Sequence, residues 1–281
     1  MVQLTGLAYA KINLTLDVTG KRNDGYHLIR SVMQSVSLAD EIKIYKTDRS
    51  GIKIICSDPS IPCNESNTVH KACVEFFDFT DTKKCGLAIN INKRIPSQAG
   101  LGGGSSDAAT VIKLLDKLFE TNLSEQQMME IGAKVGADVP FCIASGTAMC
   151  EGTGEIVTPL FPIKKHYVLL IKPNFGISTP LAYRLFDEKE IKSAKATDKM
   201  IEAINERRDI TKLLANDLES AIENEEIGRI KAKLIESGSL GSLMSGSGSC
   251  VYGLFTDKES AFTAYNTLKD NYAFVYFAET V

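Results

Sequence analysis

The sequence has no long hydrophobic run and no dense block of basic residues. Its apolar runs, such as Tyr167–Ile171, are far shorter than the roughly 20 residues that cross a bilayer. We therefore expect no membrane partner. The 32 Lys and Arg against 35 Asp and Glu give a formal net charge of −3. A slightly acidic chain without a basic cluster argues against a nucleic-acid partner and against an RNA-bound structural protein.

Patterns typical of metal sites and disulfides are also missing. The chain has 7 cysteines but no C-x-x-C pair, and its 3 histidines are scattered. This spacing argues against a structural zinc site. Residues 1–18 lack the basic start and the continuous apolar core of a signal peptide. Together these features predict reduced thiols and a cytoplasmic location.

Length and composition are those of an ordinary globular protein. The chain has 281 residues, of which 44% are hydrophobic and 24% are charged. The first half is rich in strand patterns, whereas the second half mixes strands and helices. We therefore predict two α+β domains, residues 1–155 and 156–281.

Residues 93–115 form the most informative segment of the chain. The alternating apolar run before it, at residues 87–92, predicts a strand. Four glycines then fall between positions 100 and 104, and an apolar-periodic helix runs from Ala108 to about Phe119. A strand, a glycine loop and a helix N-terminus in this order predict an anion site.

The chemistry of this segment suits a polyphosphate, most simply ATP. The first-turn N–H groups of a helix have no partner within the helix, and the helix dipole adds partial positive charge there. Glycines let the backbone curl around a phosphate. The segment is not a P-loop, since no Lys-Ser/Thr pair follows the glycines, and it does not match the dinucleotide fingerprint. A flexible turn with an ordinary Ser/Asp cap stays open as the alternative.

Lys11, Asn13 and Asp138 are the candidate side chains for chemistry. The first strand alternates from Ala8 to Val18, which places Lys11 and Asn13 on one polar face. Asp138 stands in the segment GADVPF. A carboxylate beside a lysine ammonium stays ionised and can accept a hydroxyl proton. On local grounds alone, Lys11 also fits a solvated strand lysine, and Asp138 also fits a turn or cap residue.

Two other loops are candidate ligand contacts. Tyr26 and His27 combine an aromatic face with a ring that hydrogen-bonds on two sides, which suits a heteroaromatic base; a loop aromatic packed on the surface is the alternative. The segment MSGSGSC, Met244–Cys250, is a second glycine/serine turn that could close over a ligand or serve as a plain linker.

The pattern of apolar, capping and turn residues predicts further elements along the chain. Ser124 with Gln127 is a capping-box signature for a helix to about Val135. We assign no element to the glycine/serine stretch that precedes Cys250. Other predicted elements are strands at residues 32–38, 41–45, 52–56, 166–171, 250–255 and 274–278, and helices at residues 68–79, 179–186, 199–206, 211–224, 226–236 and 258–271.

Three segments resemble a known family. AYAKINLTLDV, IPSQAGLGGGSSDAA and LMSGSGSCVYGLF stand in the order of the three motifs of GHMP kinases. The resemblance implies an N-terminal domain of the ribosomal-protein-S5 type, a ferredoxin-like C-terminal domain and an active site in the cleft between them. One departure is that Ser97, Gln98 and Ala99 stand where family loops often carry glycines, which implies a less flexible upstream arm.

Within this family, AKINLTLDVTGKRNDGYH, LGGGSSDAA and GADVPF with EGTGE resemble the members that act on a cytidine diphosphate-linked methylerythritol. The resemblance implies transfer of phosphate from ATP, with Mg²⁺, to the 2-hydroxyl of that small molecule, in the non-mevalonate route to isoprenoid precursors. A kinase for another acceptor and a nucleotide-binding module without catalysis stay open as alternatives. We expect a monomer or a weak homodimer.

The resemblance also implies roles for individual residues, with Asp138 as the base and Lys11 polarising the hydroxyl or steadying Asp138. No acidic cluster in the sequence identifies the protein ligand of Mg²⁺. The implied residues are Lys11 and Asp138 for catalysis; Asn13, Tyr26, His27, Thr179 and Tyr183 for substrate binding; and Asn67, Lys93, Gly100, Leu101, Gly102, Gly103, Gly104, Ser105 and Ser106 for ATP binding.

Overall fold

The computed structural model describes residues 2–189 and 191–281. The chain divides into two compact units. The first contains the chain up to Ala10 with residues 39–95 and 102–145, and the second contains residues 11–38, 96–101 and 146–281. The division into domains at residue 155 stays a prediction.

Two long strands, β1 (Gln3–Lys21) and β2 (His27–Thr47), each contribute residues to both units. In the first unit, β4 pairs antiparallel with β2 over residues 41–47 and parallel with β3 over residues 52–56. The other elements of this unit are β3 (Ile52–Cys56), α1 (Thr68–Thr80), β4 (Gly86–Asn92), α2 (Gly103–Phe119), α3 (Glu125–Val135) and α4 (Val139–Ala144).

The four helices of the first unit cover one face of its strands. Helix α1 buries residues 69, 72, 73, 76 and 77, which is the spacing of a single helical face. This face packs with Ile42, Ile44 and Ile89 of the sheet in one apolar core. Helix α3 begins with the predicted capping box, in which Ser124 and Gln127 each bond the other's backbone N–H.

In the second unit, β5 pairs antiparallel with both β2 and β6. The short strand β8 pairs parallel with β1 at Thr15–Leu16. The elements of this unit are β5 (Thr147–Gly152), β6 (Ile156–Pro159), β7 (Tyr167–Lys172), α5 (Thr179–Glu188), α6 (Thr197–Asn205), β8 (Ala215–Asn216), α7 (Asp217–Ala221), α8 (Glu225–Glu236), β9 (Gly241–Met244), β10 (Val251–Phe255), α9 (Lys258–Leu268) and β11 (Phe274–Glu279).

A separate antiparallel sheet has the spatial order β11-β7-β10-β9. Along the chain its strands follow the sequence strand, helices, strand, strand, helix, strand. This is the ferredoxin-like arrangement that the family resemblance implied. No helix of the described chain is both long and apolar enough to cross a bilayer.

The structure corrects three sequence predictions. The strands predicted at residues 32–38 and 41–45 are one strand, because Asp40 is buried within it and its carboxylate accepts backbone N–H bonds from Arg94 and Ile95. The helix predicted over residues 211–224 is wrong: the Asp209 side chain caps a turn at Thr211, and only α7 is helical. The glycine/serine stretch contains β9, which its small residues did not indicate.

A buried aromatic cluster gives a test of the first core. The Phe76 ring is fully buried, with centroids 5.9 Å from Phe77 and 6.1 Å from Phe119. We expect Phe76→Ala to lower the free energy of unfolding by about 3–5 kcal/mol, because it leaves a cavity among rings that cannot collapse fully. Urea denaturation measures this loss.

Phe161→Ala is the matched control, since this ring is 62% exposed and its removal should change stability by less than about 0.5 kcal/mol. Equal effects of the two substitutions would contradict the packing described for Phe76.

Candidate active site

The glycine loop leads into α2, whose first helical residue is Gly103. The N-cap residue Gly102 has φ 69°, in the left-handed region that glycine adopts without strain, and no side chain caps this helix. The first N–H groups of the helix therefore keep their capacity for an external acceptor. The predicted helix thus begins before Ala108, and Gly103–Ser106 form its first turn.

Gly100 lies in the loop where a side chain has no room. Its φ is 72°, and a Cβ built on it would stand 1.9 Å from the carbonyl oxygen of Ser245. Just upstream, Gln98 has φ 51° although it is not glycine, and its carbonyl accepts a bond from the Ser249 N–H at 3.3 Å. The next carbonyl, that of Ala99, accepts from the Cys250 N–H at 3.2 Å.

In the first unit, a buried ammonium lies beside the first turn of α2. Lys93 Nζ is 2.5 Å from Asp40 Oδ2 and 2.8 Å from Asp107 Oδ2. Burial opposes the lysine charge, but the two carboxylates outweigh it and raise the Lys93 pKa. Asp40 also accepts two backbone N–H bonds, whereas Asp107 Oδ1 is buried without a partner among the described residues.

The unpartnered oxygen of Asp107 bears on the protonation of that side chain. Burial raises the pKa of the Asp107 carboxyl above its usual range, because only one of its oxygens has a hydrogen-bond partner. The neighbouring Asp40 carboxylate raises this pKa further. Asp107 directly follows the first turn of α2, which Gly103–Ser106 form. Its side chain therefore lies close to the helix end whose first N–H groups have no side-chain cap.

Asn67 and Lys93, the two residues implied beside the nucleoside, both lie in the first unit. The Asn67 amide is used locally: it accepts from the Val69 N–H at 2.8 Å and donates to the Pro62 carbonyl at 2.6 Å, which caps α1. The next residue, Thr68, donates to the Gly104 carbonyl at 2.8 Å. The N-terminus of α1 is thereby tied to the first turn of α2.

In the second unit, the Lys11 side chain is only 4% exposed, so the alternative of a solvated strand lysine is wrong. Its Nζ donates to Asn13 Oδ1 at 2.7 Å, and Asn13 Nδ2 donates to Ser31 Oγ at 2.8 Å. The Lys11 N–H also donates to the Leu101 carbonyl at 3.0 Å. The predicted polar pair of β1 is therefore built into one network with the end of the glycine loop.

The turn Met244–Cys250 adjoins the same network. Ser245 Oγ donates to the Gly100 carbonyl at 2.9 Å and accepts from the Asn13 N–H at 3.4 Å. A Cβ at Gly246 would lie 3.2 Å from both Asn13 Oδ1 and Lys11 Nζ. The turn is a packed part of the site rather than a plain linker.

The predicted base-binding residues lie on β2, α5 and the turn before β2. The Tyr26 ring is 66% exposed, whereas the His27 side chain is 7% exposed. The His27 ring stacks on Tyr183, with centroids 4.6 Å apart and planes at 17°. Thr179 Oγ1 lies 3.1 Å from Ser247 Oγ, which brings it to the Met244–Cys250 turn.

Asp187 fixes the orientation of the His27 ring. His27 Nε2 is 2.7 Å from Asp187 Oδ1. A carboxylate only accepts, so Nε2 is the donor and Nδ1 is the nitrogen that can bond another ring. Hydrogen bonds from Lys21 and then from His27 hold the pKa of Asp187 below its usual range, so this acceptor stays ionised.

Asp138 stands at the N-terminus of α4 in the first unit. It is half-buried, with φ −83° and ψ −8°, and its carbonyl accepts from the Cys142 N–H at 3.1 Å. The residue holds the N-cap position, yet its carboxylate does not accept from the helix backbone. The local alternative, a turn or cap residue, therefore describes its position correctly, although its side chain makes no capping bond.

Sequence reasoning missed three residues that support these groups: Asp40, Asp107 and Asp187. Asp107 was visible next to the two serines of the loop, but nothing local distinguished it from a helix cap. The described chain contains no group of three or more His, Cys, Asp or Glu side chains arranged to hold a metal ion.

Comparisons with known proteins agree with this geometry. The family model of the GHMP kinases N terminal domain matches residues 67–146, and that of the GHMP kinases C terminal domain matches residues 192–273. The chain is 42% identical over 280 residues to a 4-diphosphocytidyl-2-C-methyl-D-erythritol kinase of Clostridium botulinum (strain Alaska E43 / Type E3), covering 98% of this chain and 99% of the relative.

Two solved structures are also similar. A crystal structure of 4-(cytidine 5'-diphospho)-2C-methyl-D-erythritol kinase superposes with a TM-score of 0.83 at 29% identity, covering 99% of each chain. Homoserine kinase from Cytophaga hutchinsonii superposes with a TM-score of 0.76 at 14% identity, covering 99% of this chain and 94% of that chain. The second likeness concerns the fold alone. The predicted two-domain α+β kinase fold is confirmed.

The raised pKa of Asp107 predicts how stability depends on pH. In the window between the usual carboxyl pKa and the raised value, the folded protein holds a proton that the unfolded chain has released. The free energy of unfolding therefore falls as pH rises through this window. Asp107→Asn cannot ionise and should lack this contribution.

Urea denaturation of both proteins from pH 4 to pH 8 measures the difference. We expect the stability of the wild type relative to Asp107→Asn to decrease as pH rises. A difference that stays constant, or increases, would contradict the assignment of the raised pKa to Asp107.

Proposed function

The chain belongs to the 4-diphosphocytidyl-2-C-methyl-D-erythritol kinase family of GHMP kinases, and from this premise we propose how it acts. It transfers the γ-phosphate of ATP to the 2-hydroxyl of 4-diphosphocytidyl-2-C-methyl-D-erythritol, giving the 2-phosphate and ADP, in the non-mevalonate isoprenoid precursor pathway. The observation that carries this function is the 42% identity spread over 98% of the chain, which includes every motif of the site.

We propose that ATP is held mainly by main-chain groups of the glycine loop. The uncapped N-terminus of α2 offers N–H groups and partial positive charge to the phosphates. Gly100, Leu101, Gly102, Gly103, Gly104, Ser105 and Ser106 form this cradle, and Asn67 and Lys93 border the nucleoside. A bound Mg²⁺ would neutralise phosphate charge there; no protein side chain is assigned to it.

Lys11 and Asp138 are the proposed catalytic pair. The acceptor oxygen attacks the γ-phosphorus, the bond from that phosphorus to the β-phosphate oxygen breaks, and the hydroxyl proton passes to the Asp138 carboxylate. The Lys11 ammonium stabilises charge on the attacking oxygen and the transferred group. Asn13 supports this role, because its Oδ1 accepts from Lys11 Nζ and thereby orients the ammonium.

The cytosine is proposed to bind at Tyr26, His27 and Tyr183, with Thr179 at the sugar side. Two features support this placement. Tyr26 offers an exposed ring face, and His27 is oriented by Asp187 so that Nδ1 can bond the edge of a base. Small acceptors such as mevalonate or homoserine have no ring that would use these contacts.

The catalytic pair gives the first test of this function. We expect Lys11→Ala and Asp138→Asn each to lower kcat by about 10²–10⁴-fold, because each removes a group that acts in the transition state. ATP affinity should change little, since the cradle is main chain. Steady-state kinetics with coupled detection of ADP, together with calorimetric ATP binding, measures both.

Lys43→Ala and Asp270→Asn are the controls, because the Lys43 side chain is 41% exposed, Asp270 is exposed, and neither is among the site residues named above. A nucleotide-binding module without catalysis predicts no ADP release from the wild type with any acceptor. A wild type that phosphorylates mevalonate or homoserine, but not the cytidylyl alcohol, would show that the acceptor is wrong.

The aromatic contacts give a second test. We expect Tyr183→Ala to raise the KM for the cytidylyl acceptor about 5–100-fold with a smaller change in kcat, because base stacking contributes about 1–3 kcal/mol to binding. Tyr265→Ala in α9 is the matched control. An unchanged acceptor KM in the first variant would remove Tyr183 from the base site.

A further inference from the structure

A five-residue segment, Ala215–Glu219, joins β1 to the turn Met244–Cys250 in the second unit. It consists of β8 and the start of α7. From its contacts we propose that Asn216 is a positioning residue for phosphoryl transfer, which holds the turn that packs against the Lys11 ammonium and the glycine loop. This inference rests on the proposed kinase function of the same site.

The Asn216 amide is buried and its three hydrogen bonds divide between two elements. Nδ2 donates to the carbonyls of Met244 and Gly246, at 2.8 Å each, and Oδ1 accepts from the Leu218 N–H at 3.0 Å. Both hydrogens of the amide are therefore used on the turn, while its oxygen caps α7.

The turn that Asn216 holds lies against Lys11, Asn13 and the glycine loop. Gly246, whose carbonyl Asn216 holds, is the residue at which a Cβ would lie 3.2 Å from Lys11 Nζ and from the Gly100 carbonyl. The adjacent Ser245 bonds the Gly100 carbonyl and the Asn13 N–H. A displacement of the turn must therefore move either the ammonium, the amide that orients it, or the loop.

Two residues that follow Asn216 bond β1 and the start of the turn. The Asp217 carboxylate accepts from the Val18 N–H of β1 at 2.8 Å, and the Glu219 carboxylate accepts from the Met244 N–H at 2.6 Å. Residues 215–216 also pair with Thr15–Leu16 of β1. The segment thus holds β1, which carries Lys11, and the turn in one fixed relation.

Removal of the amide leaves two turn carbonyls without their donor in a buried place. The turn is then expected to shift toward water or another donor. Misplacement of about 1 Å in a group that contacts catalytic residues can reduce a rate about 10²-fold. The effect falls on kcat more than on KM, because the Lys11 ammonium acts on the transferring group.

The test compares Asn216→Ala and Asn216→Asp with Asn224→Ala. Aspartate keeps the oxygen that caps α7 but cannot donate to the turn, so it separates the turn from the cap. Asn224 is the matched control: it is an asparagine in the same unit whose Oδ1 caps α8 by accepting from Glu226 and Ile227, with no recorded bond to the turn. The readouts are kcat and KM well below the melting temperature, and hydrogen exchange of the Met244–Cys250 peptide.

We expect both Asn216 variants to lose about 10–100-fold in kcat, with smaller changes in both KM values and faster exchange in the Met244–Cys250 peptide. Asn224→Ala should lower the melting temperature without these effects. Because Asn216 acts through the turn, adding Asn216→Ala to Ser245→Ala should cost much less than the product of the two single losses. If Asn216→Ala does not fold, the aspartate variant carries the same test.

Two results would overturn the inference: a kcat of the Asn216 variants within about threefold of Asn224→Ala, or unchanged exchange in the turn. Multiplicative losses in the double variant would also contradict it. Failure of the proposed function is a separate outcome. It would appear as a wild type that does not phosphorylate the cytidylyl alcohol, while the exchange measurement still decides whether Asn216 holds the turn.

Discussion

The hydrogen bond between the buried Lys11 ammonium and the Asn13 amide is the interaction on which the second-unit part of the site depends. An ammonium removed from water is costly unless it is paired. Asn13 can orient it only because its own groups are held: Nδ2 bonds Ser31, the N–H bonds Ser245, and the carbonyl accepts from the buried Tyr252 hydroxyl at 2.8 Å. The strand β1, the turn Met244–Cys250 and the glycine loop are therefore packed around the Lys11 ammonium.

Features of the site that arise from local chemistry could be predicted from the sequence. The glycine loop is one, because glycine-specific dihedral angles and an uncapped helix N-terminus are properties of consecutive residues. The capping box of α3 is another. Lys11 and Asn13 could be placed on one face since strand side chains alternate with period two. Their burial could not be predicted, because it depends on residues more than 200 positions away, such as Ser245 and Tyr252.

Features that depend on distant partners could not be predicted. From the sequence, Asp40 indicates a break between two strands. In the structure its carboxylate accepts hydrogen bonds from the Lys93 ammonium and from the Arg94 N–H, and the strand continues through it. Asn216 lies in a stretch whose local pattern favoured a helix, and its two turn carbonyls are about 30 residues further along the chain. The roles implied for individual residues by family resemblance do not follow from periodicity and still depend on the experiments described for them.

The absence of space at Gly100 has a genetic consequence. Glycine alone lacks a Cβ, so any missense change at this codon adds a Cβ to the backbone. That atom would lie 1.9 Å from the Ser245 carbonyl oxygen, and the new residue would have to adopt φ 72°. Drift at this position is thus restricted by main-chain geometry rather than by side-chain chemistry. An inhibitor that bonded the main chain here would contact a position where resistance mutations are excluded by the same lack of room.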